Sequence, residues 1–275
     1  MMRSPVLGLL LCAFSLTGCP RDKAAESLTL AEATQALDES TIESQGQAVA
    51  SEAVEMSTSF TLGQAAQAAA SEVSNFITSQ LACASVALAG NTVTVTYSAN
   101  GSCSYHGHAI TGTSEITISK NELSDVVVNH HWLALSNGLV QIDGTATVTW
   151  SQANLSRHVH HDIVIERLRD QKTVDSSGDR TQTALNGEIA TGIAVTGSRS
   201  WTSTSGTWDL TIDNVQMRWV DPVPEAGSYT LLTPKSRTLT LAFNRADVDT
   251  ITVTLSGEKR SFSFDVTSTG EATAR

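Results

Sequence analysis

From residue 92 onward apolar residues recur at every second position, and this period limits most of the chain to β-sheet. Val126 to Leu135, Val140 to Trp150 and Val159 to Leu168 alternate in this way. So do Leu239-x-Leu241-x-Phe243, Ile251-x-Val253-x-Leu255 and Phe262-x-Phe264-x-Val266. Successive strand side chains point to opposite faces, so each run describes a sheet with one apolar and one wet face. Threonine fills many polar positions, which suits a half-exposed pleated surface. Short turns favour antiparallel neighbours; Asn137-Gly138 is the firmest, expected as type I′ with Ser136 opposite Leu139. The expected fold is mainly β: one antiparallel meander of about ten to twelve strands, a twisted open sheet or half-barrel.

A single packing helix is expected near 62–82. Thr61-x-x-Gln64 fits a capping box, and Leu62, Ala66, Ala69, Val73, Phe76 or Ile77, and Leu81 form one apolar stripe. The helix and main sheet occupy 59–220. Asp221-Pro222-Val223-Pro224-Glu225-Ala226-Gly227 then interrupts the pattern, and 221–275 is expected as a C-terminal meander continuous with the main sheet. Residues 19–58 are polar and alanine-rich. Thr29-x-x-Glu32 and Ser40-x-x-Glu43 suggest short, marginal helices within a tether. Gly112-Thr113, Gly144-Thr145 and Gly206-Thr207 open similar segments, as glycine does where a strand bends.

The N-terminus carries Arg3, an apolar run from Val6 to Phe14, and Leu16-Thr17-Gly18-Cys19. That run is too short for a permanent membrane span and reads as a signal peptide over 1–18. Its end resembles the bacterial lipobox. The resemblance implies that Cys19 is acylated and becomes the new N-terminus, anchoring the protein to the cell envelope. Pro20, where an aspartate would retain such a protein in the inner membrane, implies the outer membrane. Cys12 leaves with the signal, so Cys83 and Cys103 remain as one possible pair. A bridge between them would contribute roughly 3 kcal/mol.

The chain has 17 basic and 28 acidic residues, a net charge of −11 that becomes −12 when Arg3 is removed. Bulk charge of that sign argues against nucleic acid or anionic headgroups as surface partners.

Seven histidines fall into three groups: His106 and His108, His130 and His131, and His158, His160 and His161. A His-x-His pair on a strand sends both rings to one face, as a metal site would need. Uniform alternation from the Asn137-Gly138 turn puts Val127, Leu133 and Leu135 inward on one strand. It places His106, His108, His131 and His161 on the buried face and His130, His158 and His160 outside. Successive groups on that face are then ~13 Å apart along the strands, too far for shared metal ligation at ~2 Å. These four are weak metal candidates, and no cofactor is expected. No nucleophile elbow, zincin helix, phosphate loop or zinc-ribbon spacing is present, so no catalytic residue is assigned. Of the tryptophans, Trp132, Trp150, Trp201, Trp208 and Trp219, core packing is favoured for Trp150.

Asn100-Gly101-Ser102-Cys103-Ser104-Tyr105-His106-Gly107-His108, Asn129-His130-His131-Trp132 and Trp219-Val220-Asp221-Pro222-Val223-Pro224-Glu225-Ala226-Gly227 carry a broader likeness. Through them the chain resembles a group of bacterial outer-membrane lipoproteins with no assigned activity. The resemblance covers most of 60–270 and implies an address, not a reaction. In architecture the chain is also similar to the open β-barrels of periplasmic lipoprotein carriers, which hold acyl chains in a curved sheet; this is fold analogy alone. The leading expectation is a non-enzymatic structural or interaction module, partnered by the membrane and an unknown protein. The alternative is a carrier of a lipid or other apolar ligand. A carrier requires a space the helix does not fill; an interaction module requires solid packing.

Overall fold

The alternating runs fold as strands of one sheet. The computed structural model describes residues 27–58, 60–61, 63–105, 107–151, 155–185, 191–218 and 224–275. The signal segment, Cys19, Leu62, His106, Trp219 and the Asp221-Pro222-Val223 break lie outside the described residues. Two helices come first, α1 (Leu30–Met56) and α2 (Ala66–Gln80). The strands follow as β1 (Ser85–Ala89), β2 (Thr92–Tyr97), β3 (Cys103–Tyr105), β4 (His108–Lys120), β5 (Val126–Ser136), β6 (Val140–Ser151), β7 (Ser156–Arg167) and β8 (Lys172–Ala184). They continue as β9 (Ile193–Ser203), β10 (Gly206–Met217), β11 (Ala226–Leu232), β12 (Thr238–Arg245), β13 (Thr250–Ser256), β14 (Ser261–Thr267) and β15 (Ala272–Ala274).

All 15 strands belong to one open antiparallel sheet. Each pairs with its neighbour in sequence, except that β2 pairs with β4 and the short β3 lies against one end of β4. The count exceeds the expected ten to twelve for a physical reason. Edge strands β1 and β15 are short and largely exposed, so they carry no alternation to read. The inward positions of β8 are also mostly polar: Ser176, Gly178, Arg180 and Gln182.

One inward row crosses the sheet from β2 to β12: Val93, Ile116, His130, Ala146, His161, Gly178, Arg199, Leu210, Leu231 and Leu239. Its ends are apolar and its middle is not. The row also corrects the expected register. Ser136 lies opposite Gln141 rather than Leu139, because Gly138 alone of the turn residues has positive φ (87°). That is the φ pattern of a type II′ turn, not the expected I′. A bulge after Trp132 then shifts the alternation of β5, with Ala134 at φ 50°. Inward positions are Val126, Val128, His130 and Trp132 before it and Leu135 after it, so Val127 and Leu133 do not reach the core. Gly112 makes the bulge possible: it has φ 98°, and a Cβ there would lie 2.7 Å from Leu135 Cα.

Residues 19–58 are not a tether with marginal helices over their described part. Thr29 and Glu32 form the expected capping box, and from it α1 runs unbroken for 27 residues. Ser40 and Glu43, expected to cap a second helix, are buried on its inner face. That face consists of Ala33, Ala36, Glu39, Glu43, Gly46, Gln47, Ala50 and Ala53, with Leu37, Ile42, Val49 and Val54 among them. Small and polar residues dominate it, so a hydropathy pattern reads it as linker. The helix lies over β5 to β8 and covers the centre of the sheet.

The expected 62–82 helix is the shorter α2, which starts after Ala65 with no side-chain cap. It buries Ala69, Ala70, Val73 and Ile77 against β1, β2 and β4. Cys83 and Cys103 are bridged, with Cα atoms 5.4 Å apart, tying the end of α2 to β3.

α1 approaches the sheet closely at Gly46, where a Cβ would lie 2.6 Å from Ile165 Cγ1. Alanine improves helix propensity by about 1 kcal/mol, but overpacking costs about 1–3 kcal/mol. Gly46→Ala is therefore expected to lose a net ~1 kcal/mol in urea unfolding, and Gly46→Leu more. An alanine variant with a raised urea midpoint would contradict this packing.

Candidate functional site

Charged side chains enter the interior in the same alternating frame as the apolar ones. On β7 the inward residues are Arg157, Val159, His161, Ile163, Ile165 and Arg167. Arg180 and Gln182 on β8 and Arg199 on β9 continue the set, all buried. The inner face of α1 answers them at helical spacing. Glu43 pairs with Arg199 and accepts from Ser176 Oγ at 3.2 Å. Glu39 accepts from Lys172 Nζ at 3.0 Å, Ser203 Oγ at 3.0 Å and Trp201 Nε1 at 3.3 Å. Asp38 pairs with Arg167, Gln47 accepts from Arg180, and Glu55 pairs with Arg157. Buried ions need such partners, since each alone in a low-dielectric interior costs several kcal/mol.

The helix does not fill the sheet. A partly open cavity of about 210 Å³ lies between the middle of α1 and β9 to β14. Its wall is apolar: Ile193, Val195, Ile212, Val215, Leu241, Phe243, Ile251, Val253 and Val266. Its other side is polar, with Arg180, Gln182 and Arg199 from the sheet and Ser40 and Gln47 from the helix. Thr41 and Gln45 lie at its half-exposed margin, where Gln45 Nε2 donates to Thr269 O at 2.8 Å. An apolar wall with a few converging polar groups is the usual form of a small-molecule site.

The histidines fall differently from the expected faces. The β5 bulge turns His130 inward and His131 outward, the reverse of uniform alternation. His161 is buried as expected, beside Gln47 and Arg180. His108 is half exposed and pairs with Glu52 at 2.5 Å, while His106 lies outside the described residues. His158 and His160 are on the outer face, against Asp179 and Asp162. His108, His131 and His161 are thus not brought together, and no metal-holding group of three or more ligands occurs among the described residues. Trp132, Trp150, Trp201 and Trp208 are all in the core. No described helix is long and apolar enough to cross a membrane.

Hydropathy patterns missed the arginines and the carboxylates of α1. A signal was present: arginines keep parity with Val159, Ile163, Val174 and Trp201, and Glu39, Glu43 and Gln47 recur every four residues in the preceding helix. Comparison with protein-family models, curated proteins and solved structures found no match.

Burial, and then the charge of Arg157, pushes His130 down to about 3. Burial, and then Arg180 and Arg199, pushes His161 down to about 2. In the unfolded chain both titrate near 6.5, so below that pH the unfolded state gains protons that the fold does not. Their contribution is therefore complete above pH 6.5 and declines as pH falls towards the folded values. At about 1.4 kcal/mol per pH unit for each ring, lowering the pH from 7 to 5 is expected to remove about 4 kcal/mol. Urea unfolding across that range checks it, and His130→Phe is expected to remove roughly half the acid sensitivity. Stability unchanged down to pH 5 would contradict the buried, neutral rings.

Proposed function

We propose that this chain is a lipid-anchored cell-envelope protein, held at the outer membrane through Cys19, that carries an apolar ligand beneath α1. The cavity carries this reading. Nine apolar side chains of β9 to β14 line space that α1 leaves unfilled, and a ligand in such a space is stabilised by the contacts it restores to the walls. A structural or interaction module would favour closing such a space, so the cavity weighs towards the carrier.

The wall also sits on the part of the sheet beyond α1's main contacts, which lie on β5 to β8. Ligand entry would then disturb the far strands and the Gln45–Thr269 contact while leaving the seat of the helix intact.

The test is uptake of a neutral apolar dye, 1-aminoanthracene, followed by its fluorescence. The purified protein is expected to take up one equivalent. Val253→Trp, which fills the cavity from its apolar wall, is expected to weaken uptake at least tenfold. No uptake, or uptake indifferent to Val253→Trp, would contradict the carrier reading.

A further inference from the structure

The polar side of the cavity holds more hydrogen-bond donors than acceptors. Arg180 is buried, and its Nη1 donates to Gln47 Oε1 and, at 3.2 Å, to His161 Nδ1. Its Nε and Nη2 have no hydrogen-bond partner among the described residues, and the side chain lines the cavity. No described carboxylate forms an ion pair with it. Arg199, on the next strand, gives Nη1 to Glu43, but its Nε is buried without a partner. Ser40 Oγ, on the helix opposite, is likewise buried and unpartnered.

His161 adds to the imbalance. A neutral imidazole has one N–H and one acceptor nitrogen. Gln47 Nε2 lies 2.8 Å from its Nε2, and Arg180 Nη1 lies 3.2 Å from its Nδ1. One ring nitrogen therefore meets a donor with a donor, and turning the Gln47 amide over moves the conflict to Arg180. Two buried guanidiniums face one carboxylate, Glu43. What this place lacks is an anion with several acceptor atoms.

We infer that the cavity's ligand is an anionic amphiphile, its carboxylate or phosphate head held by Arg180 and Arg199 beside Ser40 and its chain along Ile212, Leu241 and Val253. This rests on the carrier reading above and names its ligand class. Burial and the neighbouring Arg199 push Arg180 down to about 9, and a bound anion opposes that shift. Guanidinium forks match carboxylate and phosphate oxygens in pairs. The acidic surface of the chain is no obstacle, because the recognition is local and enclosed.

Calorimetric titration of the full chain with decanoate, decyl phosphate, 1-decanol and inorganic phosphate tests the inference. Decanoate or decyl phosphate is expected to bind at least tenfold more tightly than 1-decanol, and the tighter of the two identifies the head group. Arg180→Met is expected to remove that preference, weakening the tighter anion at least tenfold more than it weakens 1-decanol. 1-Decanol binding as tightly as both anions would overturn the anion site and leave the carrier reading standing. Binding of inorganic phosphate with no binding of any chain would overturn the amphiphile, and no binding at all would overturn the carrier reading itself. The comparison of ligands in the unsubstituted protein decides the question even if Arg180→Met does not fold.

Discussion

The buried pair between Glu43 of α1 and Arg199 of β9 fixes the relation between helix and sheet. Neither side chain can remain in the interior without the other, because an uncompensated buried charge costs several kcal/mol. The pair therefore sets both the rotation of α1 and its height above the sheet. Glu39 and Gln47, one turn away on either side, reach Trp201, Ser203, Lys172, His161 and Arg180. With the helix held by these polar contacts, its small residues at Gly46 and Ala50 come close to the middle strands. The far strands, β9 to β14, line the partly open cavity beside it.

The strand pattern was legible because the buried apolar residues of β4, β6, β7 and β12 to β14 repeat at period two. Three things were not. Edge strands β1 and β15 bury almost nothing. A bulge at Ala134 changes parity within one strand, and no composition rule marks it; only the nearby Gly112 hints that two backbones approach closely. The helix α1 was hidden because burial was equated with apolarity. More than half of its inner face is alanine, glycine, glutamate and glutamine, and the arginines of the sheet meet its carboxylates.

The candidate site was obscured for the same reason. Uniform alternation gives faces for His130 and His131 that the bulge reverses, and the inward His130 and His161 are parts of hydrogen-bond networks. Arg157, Arg180 and Arg199 stand at inward parity, in frame with the buried Val159, Val174 and Trp201. An in-frame arginine on a strand and an in-frame carboxylate on a helix nearby in sequence are each unremarkable. Together they mark a buried polar layer between two elements.

That layer links fold to function. It positions the helix that roofs the cavity, and it leaves donors unspent at the cavity's polar side. A double-mutant cycle on Glu43→Leu and Arg199→Met, measured by urea unfolding, tests this dependence most directly. The account predicts that each single substitution loses about 3–5 kcal/mol and that the double variant loses no more than either single one. Additive losses would show that the two residues stabilise the protein independently, and that the pair does not seat the helix.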